Sequence, residues 1–342
     1  MRRYLNFEGL HVIEQTASAM RDARFALCEK LFSGQPEPGA GVLDTWSGEA
    51  LEQLVTLGWH DVPPAPSAFL LRVQAKRAVR ENIQDDVDCL SPAEHELLER
   101  LLASECVSGI RNAEEFDAAL GLRNRLWCDI GSVDGAPAIR LDPALEEPIR
   151  AAFARFDHLL TRTRVFAFDG MIHAMLYAAG FLDDQLPRQR FCVDVLARDP
   201  ADRAANRLAR NYVEAAYDCV IYAECRLLLH EALALPESFI EQLAMRGANV
   251  PPMTPAQMLG CMNELLPEEK GAMQTLKGAL QYALRPGIQL DDAANDLKLL
   301  TKQGVGFEAL QQVASEMICV VPTPAINYAL RGLINHTPRW VQ

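Results

Sequence analysis

The sequence reads SPAE at residues 91–94, where one helix is predicted to begin. Ser91 supplies a capping hydroxyl, Pro92 suits the first helical position, and Glu94 stands three residues after the cap, as in a capping box. The same device recurs as TPAQ at residues 254–257, with glutamine in place of glutamate. Two complete start signals of this kind indicate that helices organise the chain.

Further helix signals recur along the rest of the sequence. Capping residues that precede apolar periodic runs are Ser47, Asn112, Asp142, Asp199, Asp291 and Thr323, and glycines placed to end a helix are Gly58, Gly121, Gly180 and Gly304. Alternating strand patterns are scarce, and one hairpin is predicted at 130–141, around the turn-forming pair Asp134-Gly135. We therefore expect a mainly α, multi-helical fold.

The composition excludes several classes of protein. The 342 residues are 49% hydrophobic, which is too apolar for a disordered chain, and the 20 glycines have no collagen-like period. The 33 basic and 46 acidic side chains give a formal net charge of −13, which argues against a protein that coats nucleic acid. A compact folded protein remains.

Three features predict a cytoplasmic protein without a transmembrane segment. The nine cysteines are dispersed and form no C-x-x-C pair, as expected of thiols in a reducing compartment. The N-terminus carries two arginines but meets Glu8 before any long apolar run, so it lacks the features of a signal peptide. The most apolar window, 165–182, contains Asp169 and His173 and is predicted to be a buried core helix rather than a transmembrane segment.

Loop-rich stretches and shifts in composition divide the chain. Residues rich in proline and glycine at 33–41 and 61–66 separate the first helices from the rest. We predict four segments, which are 1–66 as an N-terminal helical segment, 67–147 as a winged-helix-like module, 148–250 as a core of long helices, and 251–342 as a helical bundle.

Residues 91–142 follow the element order of a winged-helix module. Helices are predicted at 92–103, 113–120 and 122–129, with a turn at Gly121, and the hairpin follows them. Apolar side chains stand where a helix-turn-helix locks its helices together, although Asp117 occupies a position that usually takes a small residue. A winged helix serves either as a DNA-binding module or as a protein-docking domain.

Three residues of the third predicted helix are candidates for reading DNA: Arg123, Asn124 and Arg125. Arginine and asparagine are the residue types that bind guanine and adenine edges in the major groove. Charge opposes this interpretation, because residues 91–150 hold six basic against twelve acidic side chains. DNA binding is therefore an alternative rather than the main prediction.

Residues 67–80 carry the clearest local positive charge. Arg72, Lys76 and Arg80 are spaced by four and so share one helix face. In one interpretation this face contacts the phosphates of a nucleic acid or an anionic membrane surface. In the other it is a solvated helix face, balanced by the acidic residues that follow it.

Two pairs of ligand-type residues indicate a second alternative, a metal-dependent helical enzyme. Asp169 and His173 are four apart on the apolar helix, and Glu214 and Asp218 are four apart on a long helix predicted at 201–235. Two helices that each offer such a pair could hold a divalent metal ion between them. A buried salt bridge or hydrogen-bond pair, for example with Arg188, Arg190 or Arg207, explains the same residues. The sequence also contains no HExxH motif.

The last third of the chain predicts a helical bundle. Its amphipathic helices are expected at 255–265, 268–284, 292–302, 307–318 and 324–334. Bundles of this type commonly expose grooves that accept a partner helix. The aromatic side chain of Trp340 is expected to dock back onto the bundle.

Signatures of catalysis are missing from the sequence, which has no nucleotide-binding loop, no nucleophile elbow and no recognisably activated cysteine. We therefore predict an intracellular, non-catalytic regulatory or adaptor protein that binds a protein partner and needs no cofactor. The alternatives are a transcription regulator that binds DNA and the metal-dependent enzyme. The sequence leaves the oligomeric state open.

Overall fold

The computed structural model describes most of the chain from residue 42 to residue 340. The described residues are 42–45, 51–52, 59–60, 62–104, 107–108, 113–133, 136–217, 219–222, 225–230 and 253–340. They are mainly helical, which confirms the predicted fold class at that level. The predicted N-terminal segment, 1–66, lies largely outside them.

These residues belong to two compact units. The first unit holds the described residues up to Asp169 together with Asp184–Tyr217. The second unit holds Gly170–Asp183 and the described residues from 219 onward. The chain enters each unit more than once, whereas the prediction divides it into four consecutive segments.

The first unit begins with helices and a small sheet. Its elements in chain order are α1 (Val42–Thr45), α2 (Ala68–Asp88), α3 (Pro92–Ala103), β1 (Val107–Ser108), α4 (Ala113–Asn124), β2 (Cys128–Val133), β3 (Ala136–Leu141) and α5 (Glu146–Phe153). Next come the long helix α6 (Phe156–Ala179), which contributes residues to both units, and β4 (Phe181–Asp183) of the second unit. The first unit then ends with α7 (Gln185–Arg190), a π-helix (Phe191–Val195) and α8 (Arg203–Ala216).

The second unit continues with two strands and a set of helices. These elements are β5 (Cys219–Tyr222), β6 (Cys225–Leu229), α9 (Pro255–Met262), α10 (Glu269–Leu280), α11 (Leu290–Lys302), α12 (Phe307–Met317) and α13 (Pro324–His336). The last five helices match the five that the sequence predicts for residues 251–342. Apolar side chains from α10 to α13, such as Leu276, Leu297, Leu310 and Leu330, form one buried core.

Both predicted capping boxes are present. The hydroxyl of Ser91 accepts a hydrogen bond from the Glu94 amide at 3.2 Å, and the Ser91 amide donates to Glu94 Oε2 at 2.9 Å. The Gln257 amide donates to Thr254 Oγ1 at 3.3 Å, and the Thr254 amide donates to Gln257 Oε1 at 3.0 Å. These bonds satisfy amides that the first turn of a helix leaves without a partner, which is why α3 and α9 begin where the sequence predicts.

The predicted hairpin is confirmed. Strands β2 and β3 pair antiparallel, with Ile130 opposite Ile139, while the turn residues 134–135 lie outside the described residues. The short strand β1 also pairs with β3, so the order in this sheet is β1-β3-β2. A strand of two residues is too short to produce an alternating pattern, and the sequence therefore did not predict it.

The helix-turn-helix expected before the hairpin has a different structure. Helix α4 continues through Gly121 to Asn124, and residues 122–129 form no separate helix, because β2 begins at Cys128. Gly121 instead permits close packing, since a Cβ atom at this position would lie 2.4 Å from Oε1 of Glu94. The winged-helix module is therefore not confirmed.

The prediction of a long helix at 201–235 is wrong for the described residues beyond Ala216, and 231–235 lie outside the described residues. Helix α8 ends at Ala216, and the chain then forms β5 and β6, which pair antiparallel with each other. Strand β6 also pairs with β4, so the order in this sheet is β4-β6-β5. The β-branched and aromatic residues of β5 favour a strand, whereas the spacing of apolar residues alone did not separate a strand from a buried helix.

Helix α6 contains most of the apolar window 165–182. Its side chains Val165, Phe168 and Ile172 are buried, as predicted for a core helix. Within the described parts of the chain, no helix combines the length and the apolar character that crossing a membrane requires.

Candidate functional site

The surface of α2 combines apolar and basic side chains. Phe69 is 71% exposed, and Leu70 and Val73 are exposed beside it. The opposite face of the helix, which includes Leu71 and Val79, is buried in the core of the first unit. Three large apolar side chains in water within the first two turns of a helix form the kind of patch that marks an interaction site. We call Phe69, Leu70 and Val73 the α2 patch.

The predicted positive stripe lies on the same helix, next to the α2 patch. The ammonium group of Lys76 donates to both carboxylate oxygens of Asp44 at 2.7 Å, so its charge is balanced within the unit. Arg72 is half-buried and Arg80 is exposed. The stripe therefore keeps less positive charge than the sequence indicates, and the α2 patch extends the same surface with apolar side chains.

Arg125, predicted to read a base edge, is instead completely buried. Its Nε donates to Glu94 Oε1 at 3.1 Å, and its Nη2 donates to Glu94 Oε2 at 3.3 Å. The guanidinium carbon lies 5.3 Å from the ring centroid of Trp59 and 5.9 Å from that of Trp127. An arginine without exposed surface does not reach a DNA groove, so Arg125 acts within the fold of the first unit.

Arg123 and Asn124, the neighbours of Arg125 in the third predicted helix, also make contacts within the protein. Arg123 is buried, and its guanidinium donates to the side-chain oxygen of Asn124 at 2.9 Å. Asn124 itself is half-buried. The structure thus places these residues at the end of α4 and Arg72, Lys76 and Arg80 on α2, and gives the two sets different environments.

A second buried arginine completes the charge balance around Arg125. Nη1 of Arg207 donates to Asp86 Oδ1 and to the carbonyl oxygen of Trp59, both at 3.1 Å. Asp86 also lies 3.9 Å from Nη1 of Arg125. Two guanidinium groups therefore face two carboxylates, those of Asp86 and Glu94, in a region removed from water. Such pairing is what allows charged groups to be buried.

His60 borders this cluster of buried charges as a neutral group. Its Nε2 lies 2.9 Å from the carbonyl oxygen of Arg125, so this nitrogen carries the proton. Burial lowers the pKa of His60, and this effect outweighs the nearby carboxylate of Asp86. The cluster is therefore a structural network of paired charges with a neutral imidazole at its edge.

The residues of the predicted metal site have separate surroundings. Asp169 Oδ1 accepts hydrogen bonds from the hydroxyls of Tyr212 at 2.8 Å and Tyr217 at 2.7 Å. Burial is the main reason why the pKa values of both tyrosines are raised. His173, four residues along α6, has an exposed side chain.

Only one residue of the second pair lies among the described residues. Glu214 is half-buried in α8, Asp218 lies outside the described residues, and β5 follows at once. Among the residues that the structure describes, no three His, Cys, Asp or Glu side chains are grouped so that they could hold a metal ion. A metal at Asp169, His173, Glu214 and Asp218 remains a prediction from spacing alone.

A small cavity lies beside the π-helix of the first unit. Its volume is about 150 Å³, and it is lined by Gln185, Arg188, Gln189, Cys192, Pro200 and Asn206. Ligand pockets are usually larger, with about 300 to 1,000 Å³. Burial raises the pKa of the Cys192 thiol, so the cavity presents a neutral thiol rather than a thiolate nucleophile. This cavity does not carry a catalytic assignment.

The second unit contains its own buried ion pair, between Lys302 and Glu269. Lys302 Nζ lies 3.2 Å from Glu269 Oε1, and Glu269 Oε2 accepts the Tyr177 hydroxyl at 2.7 Å. Burial lowers the pKa of Lys302, while Glu269 opposes that shift. Trp340 is fully buried next to this pair and donates its indole N–H to the Tyr177 carbonyl at 2.8 Å. The predicted docking of Trp340 onto its own chain is confirmed.

Most cysteines with described side chains are buried thiols, as predicted. Cys89, Cys128, Cys192 and Cys261 are free and buried, whereas Cys319 is exposed. Burial is the largest cause of the raised pKa values of Cys89 and Cys128. These thiols therefore behave as small apolar side chains in the core.

Comparisons with known proteins give no further assignment. No family model, no curated protein and no solved structure matches this chain.

Proposed function

We propose that the protein is an intracellular regulatory or adaptor protein that acts by binding another protein rather than by catalysis. The observation that supports this function is the exposure of the α2 patch, Phe69, Leu70 and Val73. Complete burial of a large apolar side chain stabilises a complex by about 1.5 to 3 kcal/mol. A partner that covers these side chains therefore gains affinity from a surface that the chain already presents.

The residues around the α2 patch favour a partner of a particular chemistry. Arg72 lies between Leu70 and Val73 in the chain, Lys76 and Arg80 follow the patch along α2, and Arg80 is exposed. An acidic amphipathic helix fits this surface, since apolar side chains spaced by three or four residues would cover Phe69 and Val73. Its carboxylates would face the basic residues in the first half of α2 and would mainly increase the rate of association.

Among the residues predicted to contact DNA, the alternative of a transcription regulator would rely on those of α2. Arg123 and Arg125 are buried, so DNA contact would depend on Arg72, Lys76 and Arg80. The alternative of a metal-dependent enzyme would require that a metal replace the tyrosine hydroxyls that now bind Asp169. Neither alternative accounts for exposed phenylalanine and leucine side chains on α2.

The experiment is purification of the tagged full-length chain from its native host, with and without nuclease, followed by mass spectrometry. The wild-type chain is compared with Phe69→Ser/Val73→Ser and with Tyr282→Ser, an exposed aromatic residue in the second unit. We expect a near-stoichiometric protein that resists nuclease and is lost only with the α2 variant. Recovery of nucleic acid alone, or of the chain alone with bound metal, would contradict the proposal.

A further inference from the structure

The first three turns of α6 expose a second apolar face. Phe156 is 79% exposed, and Leu159, Leu160 and Phe166 are also exposed to solvent. Thr163, on the same side of the helix, has an exposed side chain as well. Four large apolar side chains along one short helical segment form a patch of the kind that marks an interface.

The spacing of this face is that of a helix-pairing seam. Positions 156, 160, 163 and 167 are separated by four, three and four residues, and all four side chains are exposed. This is the a and d spacing of a coiled coil, in which each seam residue faces a partner helix. The seam of α6 therefore suits a second helix lying alongside it.

The seam of one copy is complementary to the seam of a second copy that runs in the opposite direction. If two copies of α6 lie antiparallel with a twofold axis between Thr161 and Arg162, Phe156 faces Ala167 of the other copy. Leu160 then faces Thr163 in the same way. Each large side chain is thus matched with a small one, as close packing of two helices requires.

The residues that flank the seam obey the same symmetry. Asp157 and Arg164 lie on one edge of the seam. Antiparallel pairing brings Asp157 of each copy next to Arg164 of the other copy, which gives two attractive charge pairs. Leu159 and Phe166 lie on the other edge and would meet as apolar pairs. A parallel pair in register would instead set Phe156 against Phe156, with no small residue opposite it.

The present contacts of the two charged residues leave them accessible for this role. Arg155 donates to Asp157 Oδ2 at 2.6 Å, but the carboxylate remains largely exposed. Arg164 is exposed and reaches the carbonyl oxygen of Val195 at the long distance of 3.5 Å. Both side chains therefore keep hydrogen-bonding capacity for a second partner.

We propose that two copies of this chain associate through antiparallel pairing of residues 156–167 of α6. The paired segment is about 18 Å long, at 1.5 Å for each residue of a helix. An interface of this length belongs to the small class of specific contacts, which dissociate on dilution. The dimer thus forms as the concentration of the protein rises, and it uses a surface distinct from the α2 patch.

Sedimentation velocity of the full-length chain over a range of concentrations tests the dimer. We expect a monomer at low micromolar concentration that converts to a dimer as the concentration is raised, and only a monomer for Leu160→Asp at the same concentrations. Circular dichroism and the unfolding midpoint check that this variant remains folded. Phe69→Ser/Val73→Ser serves as the matched control and should dimerise like the wild type.

Reversal of the charge pair tests the antiparallel arrangement itself. Asp157→Arg and Arg164→Asp should each weaken dimerisation by about tenfold, because like charges then meet across the seam. The double variant Asp157→Arg/Arg164→Asp restores opposite charges and should return dimerisation to within about threefold of wild type. A wild-type monomer at every concentration, a dimer unaffected by Leu160→Asp, or no rescue in the double variant would overturn the proposal.

Discussion

Arg125 and Glu94 form an ion pair that is wholly removed from solvent, with 3.1 Å between Nε and Oε1. The same glutamate also caps α3 through its bond to the Ser91 amide. One carboxylate therefore fixes the start of α3 and holds the end of α4 against it. This relationship explains why Arg125 is a residue of the interior rather than of a binding surface.

Removal of one partner of this pair should destabilise the protein strongly. We expect Arg125→Met to lower the free energy of unfolding by about 3 to 5 kcal/mol, because Glu94 would stay buried without its counter-charge. Urea titration followed by circular dichroism measures this change. The matched control is Arg77→Met, since Arg77 pairs with Glu81 on the surface of α2, where solvent screens the pair and its loss should change stability little. Equal losses in the two variants would contradict this role of Arg125.

Gly121 should not tolerate alanine, although it lies in a helix. Alanine normally stabilises a helix interior by about 1 kcal/mol relative to glycine. At Gly121 the new Cβ would lie 2.4 Å from Glu94 Oε1, so we expect a lower unfolding midpoint. At Gly332 in α13 a Cβ atom would meet nothing within 4 Å, and Gly332→Ala should raise the midpoint. A rise for both variants would show that the close approach at Gly121 is not required.

Trp340 should contribute to stability far more than its place near the end of the chain indicates. Its side chain is buried against Tyr177, and its own amide donates to the Lys302 carbonyl at 2.7 Å. We expect Trp340→Ala to destabilise the second unit by about 3 to 5 kcal/mol. Tyr282→Ala is the control, because that ring is 90% exposed and its loss should cost about 0.5 kcal/mol or less. Denaturant unfolding of the two variants gives the comparison.

His95 should make the stability of the first unit depend on acidity. Burial, with smaller contributions from Arg162 and His158, lowers the pKa of His95 to about 3, whereas the unfolded chain titrates near 6.5. The unfolded state therefore binds more protons between these values, and stability is full above the upper value and falls as the pH drops toward the lower one.

The expected loss is on the order of 1 kcal/mol by about pH 5. This loss of stability should be smaller in His95→Gln, because glutamine has no imidazole to protonate. His336→Gln, at an exposed histidine of α13, should keep the dependence of the wild type. Urea unfolding at neutral pH and at about pH 5 distinguishes the variants, and an unchanged loss in His95→Gln would assign the acid sensitivity to other groups.

Features that depend on neighbouring residues were predictable from the sequence. The caps at Ser91 and Thr254, the hairpin and the five C-terminal helices all follow from short-range rules, and the structure contains them. Docking of Trp340 was also predictable, because a large aromatic side chain is rarely left in water when its own chain offers a core.

Features decided by contacts between distant residues were not predictable. The sequence places Gly121 as a helix end, whereas in the structure it lies inside α4, where the close approach of the Glu94 carboxylate explains the need for a glycine. The sequence presents Arg125 as an exposed residue that could read DNA. Its partners Glu94 and Asp86 come from other helices, so the sequence alone does not reveal that Arg125 is buried among them. The α2 patch did leave a signal in the sequence. Apolar residues at the start of α2 extend around the helix beyond the face that is buried in the core.

The most direct test of the proposed function is the dissociation constant between the co-purified partner and the full-length chain, measured with purified proteins. Isothermal titration would compare the wild type, Phe69→Ser/Val73→Ser and Tyr282→Ser in nuclease-treated preparations. We predict a loss of affinity of at least about tenfold for the α2 variant and no change for Tyr282→Ser, as expected when large apolar anchors are truncated. Equal affinity for all three chains would contradict the claim that this protein acts through the exposed face of α2.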